Sequence, residues 1–106
     1  MDHVDWDRLN ELRTDIGEED FADVAMLFVA ELQETLEKLS PDTATSADFH
    51  FLRGSAANLG FVTLVAACAT AEEACNASNV PDVAAVRAAF MAALDEVAPR
   101  VPELAA

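Results

Sequence analysis

The chain has 106 residues, a length that suits one domain with a hydrophobic core of its own. It is 53% apolar, with only 3 Gly and 4 Pro, which favours helices over disorder, and no segment alternates apolar and polar residues long enough to mark a sheet. Its net charge of -14, from 20 acidic and 6 basic residues, repels phosphate backbones and anionic lipid heads and so argues against nucleic acid and membrane as partners.

In chain order, Asp5 caps a short helix carrying Trp6, Leu9 and Leu12 that ends near Gly17. A second helix is predicted from Glu19 to Leu39, its apolar residues Phe21, Val24, Leu27, Phe28, Leu32, Leu36 and Leu39 recurring at steps of three and four. Ser40 to Thr43 breaks it, and Thr45 or Ser46 caps a third helix reaching Gly60. A fourth, from Thr63 to Ala77, repeats Leu64, Ala67, Cys68, Ala71 and Cys75, small residues that allow close helix packing. Asp82 caps the last helix, Val83 to Val97, with Pro99 beyond its end. The expected fold is all-α: an antiparallel up-down-up-down four-helix bundle with a short extra N-terminal helix, residues 1-106 forming one free-standing, monomeric domain.

Cys68 and Cys75 lie two turns apart on one predicted helix, too distant for a disulfide, and read as reduced core residues. The N-terminus lacks a signal region and no apolar stretch is long enough to span a bilayer, so a cytoplasmic location is expected. His3, near the start, reads as inert.

The third helix carries the chemistry. At about 100° per residue, Phe49, Leu52, Ala56 and Leu59 form its core stripe, while His50, Arg53, Gly54, Ala57 and Phe61 fall on the other side. Fourteen of the 20 acids precede residue 49, so His50 stands where the negative charge thins out. A glycine inside a helix costs about 1 kcal/mol relative to alanine. Gly54, one turn from His50, removes a side chain that would crowd the imidazole and lets another protein approach the helix. Arg53 can reach the space above the ring and offer hydrogen bonds to a phosphoryl group.

His50, Arg53, Gly54, Ser55, Asn58, Leu59 and Gly60 together resemble the pattern of the histidine-containing phosphotransfer (HPt) domain family, closely over residues 50 to 72. The resemblance implies that His50 accepts a phosphoryl group from a receiver-domain aspartate of a hybrid histidine kinase and passes it to a response regulator. It also implies that Arg53 neutralises the moving group. Glu72 matches the position of a Gln or Glu that orients the histidine in the family, with Glu73 or a water as alternatives. No metal or cofactor is expected in this chain, because Mg²⁺ and the carboxylates belong to the receiver. Arg53 stands where Lys is commoner, exchanging a point charge for a planar fork. Phe51 and Phe61 read as exposed docking contacts beside Gly54 and Ala57.

Other classes fit less well. A dimerising phosphotransfer hairpin would place an acid after the histidine and a proline soon after, whereas Phe51 follows His50 and the next proline is Pro81. An autokinase would need a nucleotide-binding domain. A hydrolase would need Ser55 beside His50, and the wheel separates them. The remaining alternative is a non-catalytic helical bundle that binds receivers or other signalling proteins through the same face.

Overall fold

The computed structural model describes residues 2-105; Met1 and Ala106, the ends of the expected 1-106 unit, lie outside the described residues. Five α-helices follow one another: α1 (Trp6–Ile16), α2 (Glu18–Lys38), α3 (Ser46–Leu59), α4 (Val62–Asn76) and α5 (Val83–Val97). A 3₁₀ turn, Pro102–Ala105, closes the described chain, which contains no strand. The long helices α2 to α5 form the expected four-helix bundle, with α1 as the short extra helix.

Local chemistry explains the helix starts. Asp5 Oδ1 accepts hydrogen bonds from the backbone N–H of Asp7 and Arg8, at 3.1 and 3.2 Å, and so begins α1. Thr45 and Asp48 form a reciprocal capping box at the start of α3: Thr45 Oγ1 accepts from Asp48 N, and Asp48 Oδ2 accepts from Thr45 N. Asp82 accepts from Ala85 N and begins α5. The first turn of α2 has Glu18, Glu19 and Asp20, which suit the positive end of the helix dipole.

The buried stripe of α2 differs from the one expected. Phe21, Ala25, Val29, Leu32 and Leu36 are buried, with Leu39 beyond the helix end, while Val24 and Phe28 are half-buried and Leu27 is 61% exposed. A stripe centred on Leu32 places Leu27 roughly 140° away, toward solvent. Small Ala25 and Val29 take the core positions that the bulkier residues were expected to fill.

Among the helix pairs, α3 and α4 pack most intimately, followed by α4 and α5. Helix α1 lies across α2 and α3, and the 3₁₀ turn fills the groove between α2 and α5. At the other end of that groove Arg87 Nη2 donates to the carbonyls of Leu36 and Leu39, at 2.8 and 2.7 Å, tying α5 to the exposed carbonyls that end α2.

The N-terminus is tied down through His3 and Trp6. His3 N donates to Glu96 Oε1 at 2.9 Å, Trp6 Nε1 donates to Glu96 Oε2 at 3.1 Å, and His3 Nδ1 lies 3.0 Å from Thr63 Oγ1. Arg100 stacks over the Trp6 ring, 4.6 Å from its centroid. Burial of Glu96 opposes its charge, but the hydrogen bonds from His3 and Trp6 outweigh that and hold its carboxyl below the ordinary range. Close by, Gly60 ends α3 in the left-handed region (φ 72°), and its carbonyl accepts from Asp5 N at 2.7 Å. A Cβ on Gly60 would come within 2.6 Å of the Asp5 carbonyl oxygen.

Two measurements check this junction. Gly60→Ala combines an unfavourable φ with a backbone clash and is expected to lower the unfolding free energy by about 2 kcal/mol or more in denaturant titrations. Because the Glu96 carboxyl is depressed in the folded state, its contribution is present above the unfolded value of 4.5 and is lost as pH falls below it. Glu96→Gln should therefore be less stable near neutrality and show a flatter dependence of Tm on pH through the acid range.

Candidate functional site

The core stripe of α3 consists of Phe49, Leu52, Ser55, Ala56 and Leu59, all buried. The capping box sets the start of the helix, so the opposite edge presents His50, Phe51, Gly54, Ala57 and Asn58 to solvent. The His50 side chain is 69% exposed. Nothing lies within 4 Å of the position a Cβ would take on Gly54, so no internal packing demands a glycine there. The absent side chain leaves the surface beside the imidazole open.

Helix α4 packs on α3 and brings Glu72 to the flank of His50. Glu72 Oε2 lies 3.4 Å from His50 Nδ1, and Glu72 Oε1 lies 3.2 Å from Arg53 Nη2. Arg53 Nη2 is in turn 3.0 Å from His50 Nδ1. Three residues expected to share the site therefore do meet: one imidazole nitrogen faces both a guanidinium and a carboxylate. Of the two acids on α4, Glu72 makes this contact and is largely shielded, whereas Glu73 is exposed. Among the described residues the His50 ring makes its polar contacts through Nδ1, and none through Nε2.

A family model described as the Hpt domain matches residues 23-99, more than half of the chain and a span that includes His50, Arg53 and Glu72. The chain belongs to the Hpt domain family. Hpt domains serve histidine phosphotransfer in phosphorelays. No curated protein and no solved structure matches at a significant level. Helix α1 lies outside the matched span of this Hpt domain.

One expected contact is corrected. Phe61 is fully buried and takes no part in the surface around His50. The wheel that placed it beside the histidine carries the helix past Leu59, but Gly60 turns the chain into the left-handed region and sends Phe61 into the core. Phe51, by contrast, is 47% exposed.

Leu27 is an apolar surface residue that the sequence reading placed among the core-forming residues of α2. It shares an α2 row with Glu31 and Thr35 at four-residue steps, and Thr35 and Lys38 line a shallow concavity together with Ala47 and Phe51 of the α3 side. The signal that could have found Leu27 is the wheel of α2 centred on Leu32.

Ser55 is buried on the core side of α3, away from His50. Among the described residues no group of three or more His, Cys, Asp or Glu side chains converges as a metal site. Both cysteines of the Hpt domain are free. Burial pushes the Cys68 thiol up to about 11, against the lowering pull of Arg53 and with a further push from Glu72. A thiol in that state is not a nucleophile at neutral pH. Cys75 is only partly buried, its Sγ donating to the Ala44 carbonyl at 3.9 Å. Iodoacetamide at mildly alkaline pH should modify Cys75 of the folded protein and spare Cys68 until denaturant is added, as read by peptide mass mapping.

Proposed function

We propose that this Hpt domain is a phosphorelay intermediate that takes a phosphoryl group from the aspartyl phosphate of a hybrid kinase's receiver onto His50 Nε2 and returns it to the aspartate of a response regulator. The observation that carries this reading is the division of labour within one ring. Nδ1 faces Arg53 and Glu72, while Nε2 has no polar partner among the described residues, on a side chain that is 69% exposed.

In the transfer, the Nε2 lone pair attacks phosphorus, the N–P bond forms, and the P–O bond to the aspartate breaks. The carboxylate leaves with the bonding pair. The reacting ring, in the tautomer with its proton on Nδ1, acquires positive charge, which the Glu72 carboxylate on that side stabilises. Arg53 offers its N–H groups to the phosphoryl oxygens, whose charge is spread over three atoms in the transition state. The reverse sequence delivers the group to the second receiver. No cofactor or metal is assigned to this chain; Mg²⁺ is assigned to the receiver's own carboxylates.

Docking is assigned to the surface around His50, with Phe51 as an apolar contact and Gly54 and Ala57 as the places of closest approach. Charge supports a protein partner over a nucleic acid. Each of the six Lys and Arg side chains has a partner inside the chain: Arg8 and Arg13 pair with Glu11 and Glu18, Lys38 with Glu34, Arg53 with Glu72, Arg87 with carbonyls and Arg100 with Trp6. No described helix is long and apolar enough to cross a membrane. The two free cysteines suit a reducing cytoplasm, where we propose that the domain works as a monomer.

Incubating the protein with a phosphorylated receiver should move label onto it as an acid-labile, alkali-stable product, and His50→Gln should abolish this. Label persisting on the variant, or an acid-stable product on the wild type, would contradict the reading. Phe51→Ser should slow labelling from a receiver at limiting concentration about tenfold, in keeping with roughly 1.4 kcal/mol of lost apolar contact. It should leave labelling by the small donor phosphoramidate unchanged.

A further inference from the structure

Arg53 and Glu72 compete for the same atom of His50. A guanidinium has only N–H donors and stays protonated, so at 3.0 Å from Arg53 Nη2 the nitrogen Nδ1 has to be the acceptor. The proton of the neutral ring then sits on Nε2. In that tautomer Nε2 has no lone pair with which to attack phosphorus. Glu72 Oε2, at 3.4 Å, stands beyond the usual range of about 2.7 to 3.2 Å for an N–H···O bond, as expected of an acceptor facing another acceptor. Arg53 Nη2 stands between the two, hydrogen-bonded to Nδ1 and ion-paired with Glu72 Oε1 at 3.2 Å.

The tautomer that transfer requires is the opposite one, with Nδ1–H donating to Glu72. The two arrangements exclude each other, because an Nδ1–H cannot share its space with a donor from Arg53. The site therefore has two discrete states that differ in the position of one guanidinium and one proton. Arg53, whose side chain is 37% exposed, has room to move between them.

We infer that Arg53 is a positioning residue that gates the tautomer of His50. Without a phosphoryl group it holds the ring in the unreactive Nε2–H form. An arriving phosphoryl group draws the guanidinium onto its own oxygens, where two full negative charges outbid a neutral nitrogen. Nδ1, released, takes a proton from water and donates it in a hydrogen bond to Glu72, while Nε2 gives its proton to water. No net charge is gained or lost, and the Nε2 lone pair now faces phosphorus. The nucleophile is thus armed by its own substrate.

The purpose of such a gate rests on the phosphotransfer reading, but its existence is read without any transfer. Two-dimensional ¹⁵N–¹H correlation of the histidine ring, at a pH where titration shows His50 neutral, reports which nitrogen carries the proton. The wild type is expected to show Nε2–H. Arg53→Ala is expected to show Nδ1–H, and adding Glu72→Ala to it should restore Nε2–H. Inorganic phosphate should move the wild-type ring toward Nδ1–H and leave Arg53→Ala unmoved. A wild-type ring already in the Nδ1–H form, an Arg53→Ala ring still in the Nε2–H form, or a wild type indifferent to phosphate would each overturn the gate. Correct tautomers with no label transferred from any receiver would overturn the relay role instead.

Discussion

The close packing of α3 on α4 is the constraint on which the site depends. Buried Ala56 on one helix and Cys68 and Ala71 on the other are small enough for the two backbones to approach, with Leu52, Leu59 and Leu64 filling the space around them. That approach sets the distance between the edges of the two helices, and on those edges stand His50 and Arg53 on one side and Glu72 on the other. A carboxylate at 3.4 Å from a ring nitrogen is therefore a product of backbone spacing, fixed by residues that never touch the histidine. The rest of the molecule steadies this pair. Helix α5 backs α4, α2 backs α3, and the junction of Asp5 with Gly60 and of His3 and Trp6 with Glu96 closes the end where α3 turns into α4.

Features that act over three or four residues were legible in the sequence. Asp5, Thr45 and Asp82 cap helices through their own near neighbours, and the core stripe of α3 follows from its spacing alone. The same wheel separates His50, Arg53 and Gly54 from Leu52, Ala56 and Leu59, which is how the structure disposes them. Phe61 was misplaced because periodicity does not announce where a helix stops, and a left-handed Gly60 reverses the direction of the next side chain. On α2 two apolar stripes compete, and the one with the larger residues, including Leu27, lost to the one with Ala25 and Val29. The clasp between His3 and Glu96 joins residues 93 apart in sequence, and no local pattern connects them.

Glu72 marks the boundary of what spacing conveys. Helix α4 is built of small and apolar residues on several faces, so its pattern does not choose between Glu72 and Glu73. Only the packed position of α4 makes the choice, bringing Glu72 to the ring and leaving Glu73 in solvent. The arginine at position 53 is similarly ambiguous in sequence, where it reads as a cation for the phosphoryl group. In the structure it is already occupied, by the histidine and the carboxylate together. A planar group with several fixed N–H directions suits this double engagement in a way that a single ammonium on a flexible stem does not.

In the proposed relay His50 carries a phosphoryl group on Nε2 while Nδ1–H faces Glu72. This is tested most directly by phosphorylating the ¹⁵N-labelled protein and observing the histidine ring by ¹⁵N and ³¹P NMR. The expected result is phosphorus coupled to Nε2 of His50, with the proton on Nδ1. Phosphorus coupled to Nδ1, or found on any other residue, would contradict it.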